Sequence, residues 1–478
     1  MYNSKSKHAE EFICDEEILA SIDEAKQKVT DKAAIRAILE RAEEFKGLDY
    51  KQVALLLECM EAGDEETMQE VHRIAMKIKE HIYGNRIVFF APLYLANQCV
   101  NSCRYCGYHH SNCQMPRKKL TQDEIRREIV ALQDMGHKRL ALETGEDPVN
   151  IPIEYVLESI KTIYSVKHKN GAIRRVNVNI AATTVENYRK LKEAGIGTYI
   201  LFQETYHKPT YEYMHPAGPK HNYAYHTEAM DRAQEGGIDD VGIGVLYGLY
   251  DYKYDTIAMM MHIKHLEDTV GVGPHTISLP RMRFASDVDL GDYQRVPDET
   301  FFHIVAILRC AVPYTGMIIS TRESKENRRE LLRLGITQLS GGSCTGVGGY
   351  ADEMDGKARE TEGTEQFQVD DERSLDEIMH ELCKNGYIPS FCTACYRAGR
   401  TGDRFMSLAK AGQICNVCQP NALMTLKEYA IDYATPETRA YAEQLIQQEI
   451  PKIKNEKIRA KTMENLASIE AGQRDFRF

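Results

Sequence analysis

From residue 1 to about 85, apolar positions recur three and four apart, as in DKAAIRAILERAEEF and DYKQVALLLECMEAG. That period predicts amphipathic helices, and residues 1–85 read as a helical extension packed on whatever follows. At Arg86 the pattern changes to short apolar runs: IVFFAPLYL, RLALETG, RVNVNI, TYILFQE, VGIGVLYG, HTISLP, GMIIS and ITQLS. Amphipathic stretches separate most of them. One is LTQDEIRREIVALQDMG, with Thr121 placed to cap its start and Gly136 to end it. Eight strand candidates alternating with helices predict an α/β fold, a parallel (β/α)8 barrel of TIM type over residues 86–345. A partial six-stranded barrel is the alternative. Residues 346–375 are Gly-rich and charged and read as a linker or loop. Residues 376–478 read as a mostly helical C-terminal domain. No repeat or low-complexity tract interrupts the series.

In such a barrel the loops after the strands form one mouth, where chemistry is carried out. Three cysteines follow the first strand, Glu146 the second, Glu204 the fourth and Arg322 the seventh. The pattern therefore gathers residues that are far apart in sequence.

Composition narrows the class. The 478 residues are 43% hydrophobic and 27% charged, as in ordinary globular proteins. A net charge of −11 argues against a general nucleic-acid binder. No apolar run is long enough to cross a bilayer, and MYNSKSKHAEEFICDEE lacks the apolar core of a secretory signal. The expectation is a cytoplasmic protein with no membrane or nucleic-acid partner. Reducing surroundings make a disulfide framework unsuitable for its thirteen cysteines. They cluster instead: Cys99, Cys103, Cys106 and Cys113 in one group, and Cys392, Cys395, Cys415 and Cys418 in another. Such clustering suits metal binding. Cys14, Cys59, Cys310, Cys344 and Cys383 read as packing residues.

The first group contains C-x3-C-x2-C, from Cys99 through Cys103 to Cys106. Three thiolates on one short loop can hold three irons of a cubane, leaving the fourth iron open to chelation. A zinc knuckle, the competing reading, prefers four ligands in close pairs. His109, His110 and Cys113 read as solvent-facing. This segment resembles the signature of the radical S-adenosylmethionine (SAM) superfamily. The resemblance implies a [4Fe–4S] cluster and SAM as cofactors, with Tyr105 near the adenine. Thr144-Gly145-Glu146 looks like the family's acidic motif, in which Gly145 permits close approach and Glu146 binds the cofactor's ammonium. Reductive cleavage of the sulfonium would then give a 5′-deoxyadenosyl radical, chemistry that acid–base side chains cannot supply.

LFQETYHKPTYEYMHPAGPK, residues 201–220, is similar to a segment of the superfamily's aromatic-amino-acid lyases. By that likeness Glu204 faces the cofactor, and Arg232 is a further cofactor contact, with a solvated helix charge as the alternative. Gly242 and Gly244 either lie against adenine or serve tight strand packing. Arg322 and Ser340 would hold the carboxylate of an amino-acid substrate.

In the second group, C-x2-C…C-x2-C is also a zinc-site spacing. The segments CTACYRAGRTG and CQPNAL, however, resemble the C-terminal region of the [FeFe]-hydrogenase maturases. There Cys392, Cys395 and Cys418 would form C-x2-C-x22-C and hold an auxiliary iron–sulfur cluster with a labile iron. Cys415 would be a bystander. His275 looks like the residue that helps hold that iron, although its place early in the sixth strand fits poorly with a site at the mouth, and a core histidine is the other reading. The resemblance implies cleavage of L-tyrosine to p-cresol and dehydroglycine, then CO and cyanide for the hydrogenase H-cluster. An electron donor such as ferredoxin or flavodoxin and other hydrogenase maturation proteins would be partners. A thiamin-pathway tyrosine lyase that stops at dehydroglycine, and a non-catalytic iron–sulfur scaffold, are the alternatives.

Overall fold

The structure is a computed structural model that describes residues 1–288, 293–356 and 365–478; the side chain of Cys415 also lies outside the description. Eight parallel strands close on themselves: β1 Arg86–Ala96, β2 Arg139–Thr144, β3 Arg175–Asn179, β4 Tyr199–Ile200, β5 Val241–Gly244, β6 Thr276–Ser278, β7 Gly316–Ile319 and β8 Gln338–Ser340. Closure comes from β8 pairing with β1, Val88 opposite Gln338 and Phe90 opposite Ser340. The six-stranded alternative is thereby excluded. The long apolar run of β1 is buried almost throughout, as expected for a parallel strand covered on both faces.

The barrel helices begin and end as the sequence suggests. Thr121 caps Gln122–Asp134 in a capping box with Glu124. Gly136 has φ +93°, and a Cβ there would lie 2.7 Å from the Tyr429 ring. The turn thus serves helix termination and domain packing together.

Before the barrel, helix Glu65–Tyr83 lies against Asp298–Ala311, and Tyr50–Glu61 against Tyr252–Val270. Val71, Ile74, Ala75 and Ile78 bury the inner stripe of the former. The described part of 346–375 is packed on the barrel instead of bridging solvent. It contains helix Gly349–Met354, whose Ala351 N–H donates to the Glu128 carboxylate at 2.7 Å. Its Asp371 forms a buried ion pair with Arg328.

The C-terminal region carries a strand that periodicity did not reveal. This strand, β9 Ile388–Ser390, pairs in parallel with β1, Arg86 opposite Ile388 and Val88 opposite Ser390. It lies at a sheet edge, where Pro389 costs no ladder bond. Helix Cys415–Asp432 packs beneath β2 and β3, its buried Glu428 forming ion pairs with Arg174 at 2.8 Å and Lys138 at 3.3 Å. These contacts fix the C-terminal region to the N-terminal ends of the strands, opposite the mouth. Among the described residues no helix is long and apolar enough to cross a membrane.

Candidate active site and second cysteine site

Between β1 and helix Gln122–Asp134 runs the cysteine loop. Arg117 holds it by donating to four carbonyls: Asn97 at 2.7 Å, Tyr108 at 2.9 Å, His109 at 2.7 Å and Asn112 at 3.2 Å. The loop is stitched to the end of β2 by Val100 N–H to Glu146 O at 2.8 Å and Gly145 N–H to Ala96 O at 3.0 Å. The approach is so close that a Cβ on Gly145 would sit 2.1 Å from Gln98 O, which explains the glycine.

Cys99, Cys103 and Cys106 line one cavity of about 130 Å³ together with Tyr105, Glu146, Glu204 and Arg322. Burial and the neighbouring thiols push Cys106 up to about 11; burial also raises Cys103. Thiols lining one cavity ionise when cationic iron lies among them, so the donor set fits a cluster. The Asn101 and Gln366 amides point at Cys99 and Cys106 Sγ, each at 3.8 Å. Cys113 and His110 are exposed, as expected.

The carboxylates are distinct in their surroundings. Glu146 accepts from Asn101 Nδ2 at 2.6 Å, and burial raises its pKa. Glu204 sits at φ +69°, a conformation costly for a non-glycine residue, and pairs with Lys220 Nζ at 2.8 Å. Burial opposes the Lys220 charge, but Glu204 and Cys103 outweigh it and raise its pKa. The same ammonium lies 5.7 Å from the Tyr105 ring centroid, and the Tyr105 hydroxyl meets His215 Nε2 at 2.8 Å. Lys220 and Arg117 escaped the sequence reading. The signal for Lys220 was its place at the end of the same segment as Glu204.

Below the mouth lies an inner cavity of about 90 Å³ lined by Phe90, Phe202, Ser340 and again Arg322. The Arg322 guanidinium stacks on Phe367, 3.3 Å from its centroid. Ser340 Oγ accepts from Thr321 N–H at 3.1 Å. Arg232 is not brought to either cavity. It donates to the carbonyls of Thr183, at 3.1 Å, and Tyr225, and covers the Tyr225 ring at 3.9 Å. Gly242 and Gly244 take the packing role: added Cβ atoms would meet Thr276 Oγ1 at 2.6 Å and Ser278 O at 2.4 Å.

The second triad lies at the other end. Because Cys392 follows β9, it is delivered to the barrel floor. Cys392, Cys395 and Cys418 line a cavity of about 70 Å³ with His275, Arg86 and Phe476. A hydrogen bond from the Cys418 thiol lowers the Cys395 pKa. Arg175 Nη1 lies 3.7 Å from Cys392 Sγ. Half-buried His275 stands just before β6, its Nδ1 3.6 Å from Asp240. Its position early in the strand, awkward for a mouth site, is where a floor site has to draw its residues. Among the described residues, no three His, Cys, Asp or Glu side chains are grouped around a point as for a single ion. The thiols of each triad line a cavity instead. Arg139 Nη2 donates to Gln338 Oε1 at 2.8 Å; Gln338 lines the floor cavity, and the Arg139 guanidinium lies 6.0 Å from the ring of Phe90, which lines the inner one.

A closed (β/α)8 barrel with three thiols after its first strand and a glutamate after its second is the architecture of a radical SAM enzyme. The Radical SAM superfamily profile matches residues 93–263, and the Biotin and Thiamin Synthesis associated domain matches residues 278–388. A solved structure of HydG, a maturase of the [FeFe]-hydrogenase, is 57% identical with TM-score 0.93, covering 98% of this chain and 100% of that one. HydG from Carboxydothermus hydrogenoformans is 36% identical with TM-score 0.82, covering 96% and 99%. The 2-iminoacetate synthase of Escherichia coli (strain K12) is 28% identical over 368 residues, 77% of this chain and 92% of that protein. The chain belongs to the HydG family of radical SAM enzymes. Membership brings a [4Fe–4S] cluster and SAM as cofactors of the barrel.

Proposed function

We propose that this enzyme cleaves L-tyrosine to p-cresol and dehydroglycine at the barrel mouth and converts the latter to CO and cyanide at the floor, for assembly of the [FeFe]-hydrogenase H-cluster. The observation that carries the reading is that two cysteine triads line separate cavities at opposite ends of one barrel. The likeness to HydG over nearly the whole chain supports it. The atoms balance: tyrosine is the sum of p-cresol and dehydroglycine, and dehydroglycine is the sum of HCN, CO and water.

Cys99, Cys103 and Cys106 hold the SAM cluster, which when bound supplies an electron for sulfonium cleavage. Glu146, steadied by Asn101, takes the SAM ammonium, and Gly145 lets the backbone close on it. Tyr105 and the Glu204–Lys220 pair wall the same cavity. Arg322, whose guanidinium donates no hydrogen bond within the described residues, takes the substrate carboxylate at the entrance to the inner cavity, where Ser340 also lies. At the floor Cys392, Cys395 and Cys418 hold an auxiliary cluster, with His275 placed to reach a labile iron. Arg232 has no part in this scheme. Ferredoxin or flavodoxin would deliver electrons, and other hydrogenase maturation proteins would receive the iron product.

A thiamin-pathway lyase would stop at dehydroglycine and needs no floor triad. Incubating the reduced, iron-reconstituted protein with SAM and tyrosine separates the readings. The expected products are p-cresol, CO and cyanide. Absence of p-cresol sinks both lyase readings and leaves the scaffold; p-cresol without CO or cyanide favours the thiamin pathway.

A further inference from the structure

The β2 strand alternates, so Arg139, Ala141 and Glu143 share one face, the one turned into the barrel. Ala141 lines the inner cavity, whereas Glu143 lines both the inner and the mouth cavities. Asn179, Phe202, Pro280, Arg322, Gln366 and Phe367 do the same, so these seven mark the neck where the two spaces meet. The neck therefore carries one cation and one anion. No ion pair joins them within the described residues; the hydrogen-bond partner of Glu143 is the Asn179 amide, its register neighbour on β3. Below the neck the lining turns apolar, with Phe90, Ile200, Phe202 and Ile318. A charge pair held apart above an apolar chamber matches an α-amino acid with a large side chain, whose carboxylate and ammonium are separated by one carbon.

We infer that Glu143 receives the α-amino group of the amino-acid substrate across the neck from Arg322, so that the two residues together read its zwitterion. The inference rests on the tyrosine-lyase reading and adds the residue that selects the amine. The groups facing Glu143 are Arg322, Tyr94 and Tyr108. Burial pushes its carboxyl up to about 8, against the opposing pull of Asn179 and Arg322. An ammonium set beside this carboxyl supplies the opposite charge that favours its ionised form, as Arg322 does for the substrate carboxylate.

The test is equilibrium binding to the iron-reconstituted holoenzyme with SAM and no reductant. The ligands are tyrosine and 3-(4-hydroxyphenyl)propionate, which keeps the ring and carboxylate but lacks the amine. The wild type should favour tyrosine roughly tenfold or more. Glu143→Gln should bring the two within about twofold by weakening tyrosine alone, and Glu143→Asp, which keeps the carboxylate, should recover part of the preference. Iron content and melting temperature show that each variant is folded. A Glu143→Gln enzyme that keeps the wild-type preference overturns the inference while leaving the tyrosine reading intact. Wild-type protein that binds the analogue as tightly as tyrosine overturns it without any variant. A wild type that makes no p-cresol removes the substrate reading, and the inference with it.

Discussion

Mouth and floor of the same barrel are built from different materials. The mouth is assembled by loops that leave strand C-termini, and its thiols come from a single stretch of eight residues, Cys99 to Cys106. Arg117 and the Gly145 contact bind that loop to the scaffold. The floor is assembled by a separate region whose first thiol arrives only because β9 pairs with β1. Its third thiol comes from a helix anchored through Glu428. A barrel can thus carry a second group of thiols where its strands begin, provided another chain segment supplies them. The mouth's thiols are intrinsic to the barrel, whereas the floor's depend on docking of the C-terminal region.

The largest effect is expected at the mouth. Cys103→Ala should abolish p-cresol, CO and cyanide together, because everything downstream needs the radical; gas and product analysis on the reconstituted variant checks this. Next is Lys220→Met, which leaves Glu204 without its partner in a nearly enclosed site. Breaking such a pair should cost about 3 kcal/mol, read as a fall in denaturation midpoint. The converse pair change, Lys220→Met with Glu204→Gln, should recover much of that loss. Arg322→Lys keeps the charge but loses the planar fork, and should raise the KM for tyrosine roughly thirtyfold, about 2 kcal/mol. The smallest effect belongs to Arg232→Ala. Since Arg232 faces the Thr183 and Tyr225 carbonyls, SAM affinity by equilibrium dialysis should change less than about twofold. A large loss would return Arg232 to the cofactor site.

Legibility in the sequence followed the same division. The mouth was readable because contiguous spacing carries local chemistry: the cysteine loop, Thr144-Gly145-Glu146 and the strand-end positions of Glu204 and Arg322. The second triad was visible as spacing, but its location was not. Ile388–Ser390 is three residues with a proline, too short to show a period, so nothing pointed to the floor. The placement of His275 followed from that omission. The contacts of Arg232 were not legible because helical spacing does not say which backbone carbonyls a long side chain will reach. Lys220 and Arg117 were missed because each acts through tertiary partners, and Glu143 because it sits beside a louder motif. Its alternation with Arg139 and Ala141 on β2 was the available signal.

On the proposed function the two ends perform successive, separable steps. The double variant Cys392→Ser/Cys395→Ser tests it most directly, with p-cresol, CO and cyanide measured on the same reduced sample with SAM and tyrosine. The expected result is p-cresol at near wild-type levels and loss of CO. Joint disappearance of p-cresol and CO, or persistence of both, would contradict it.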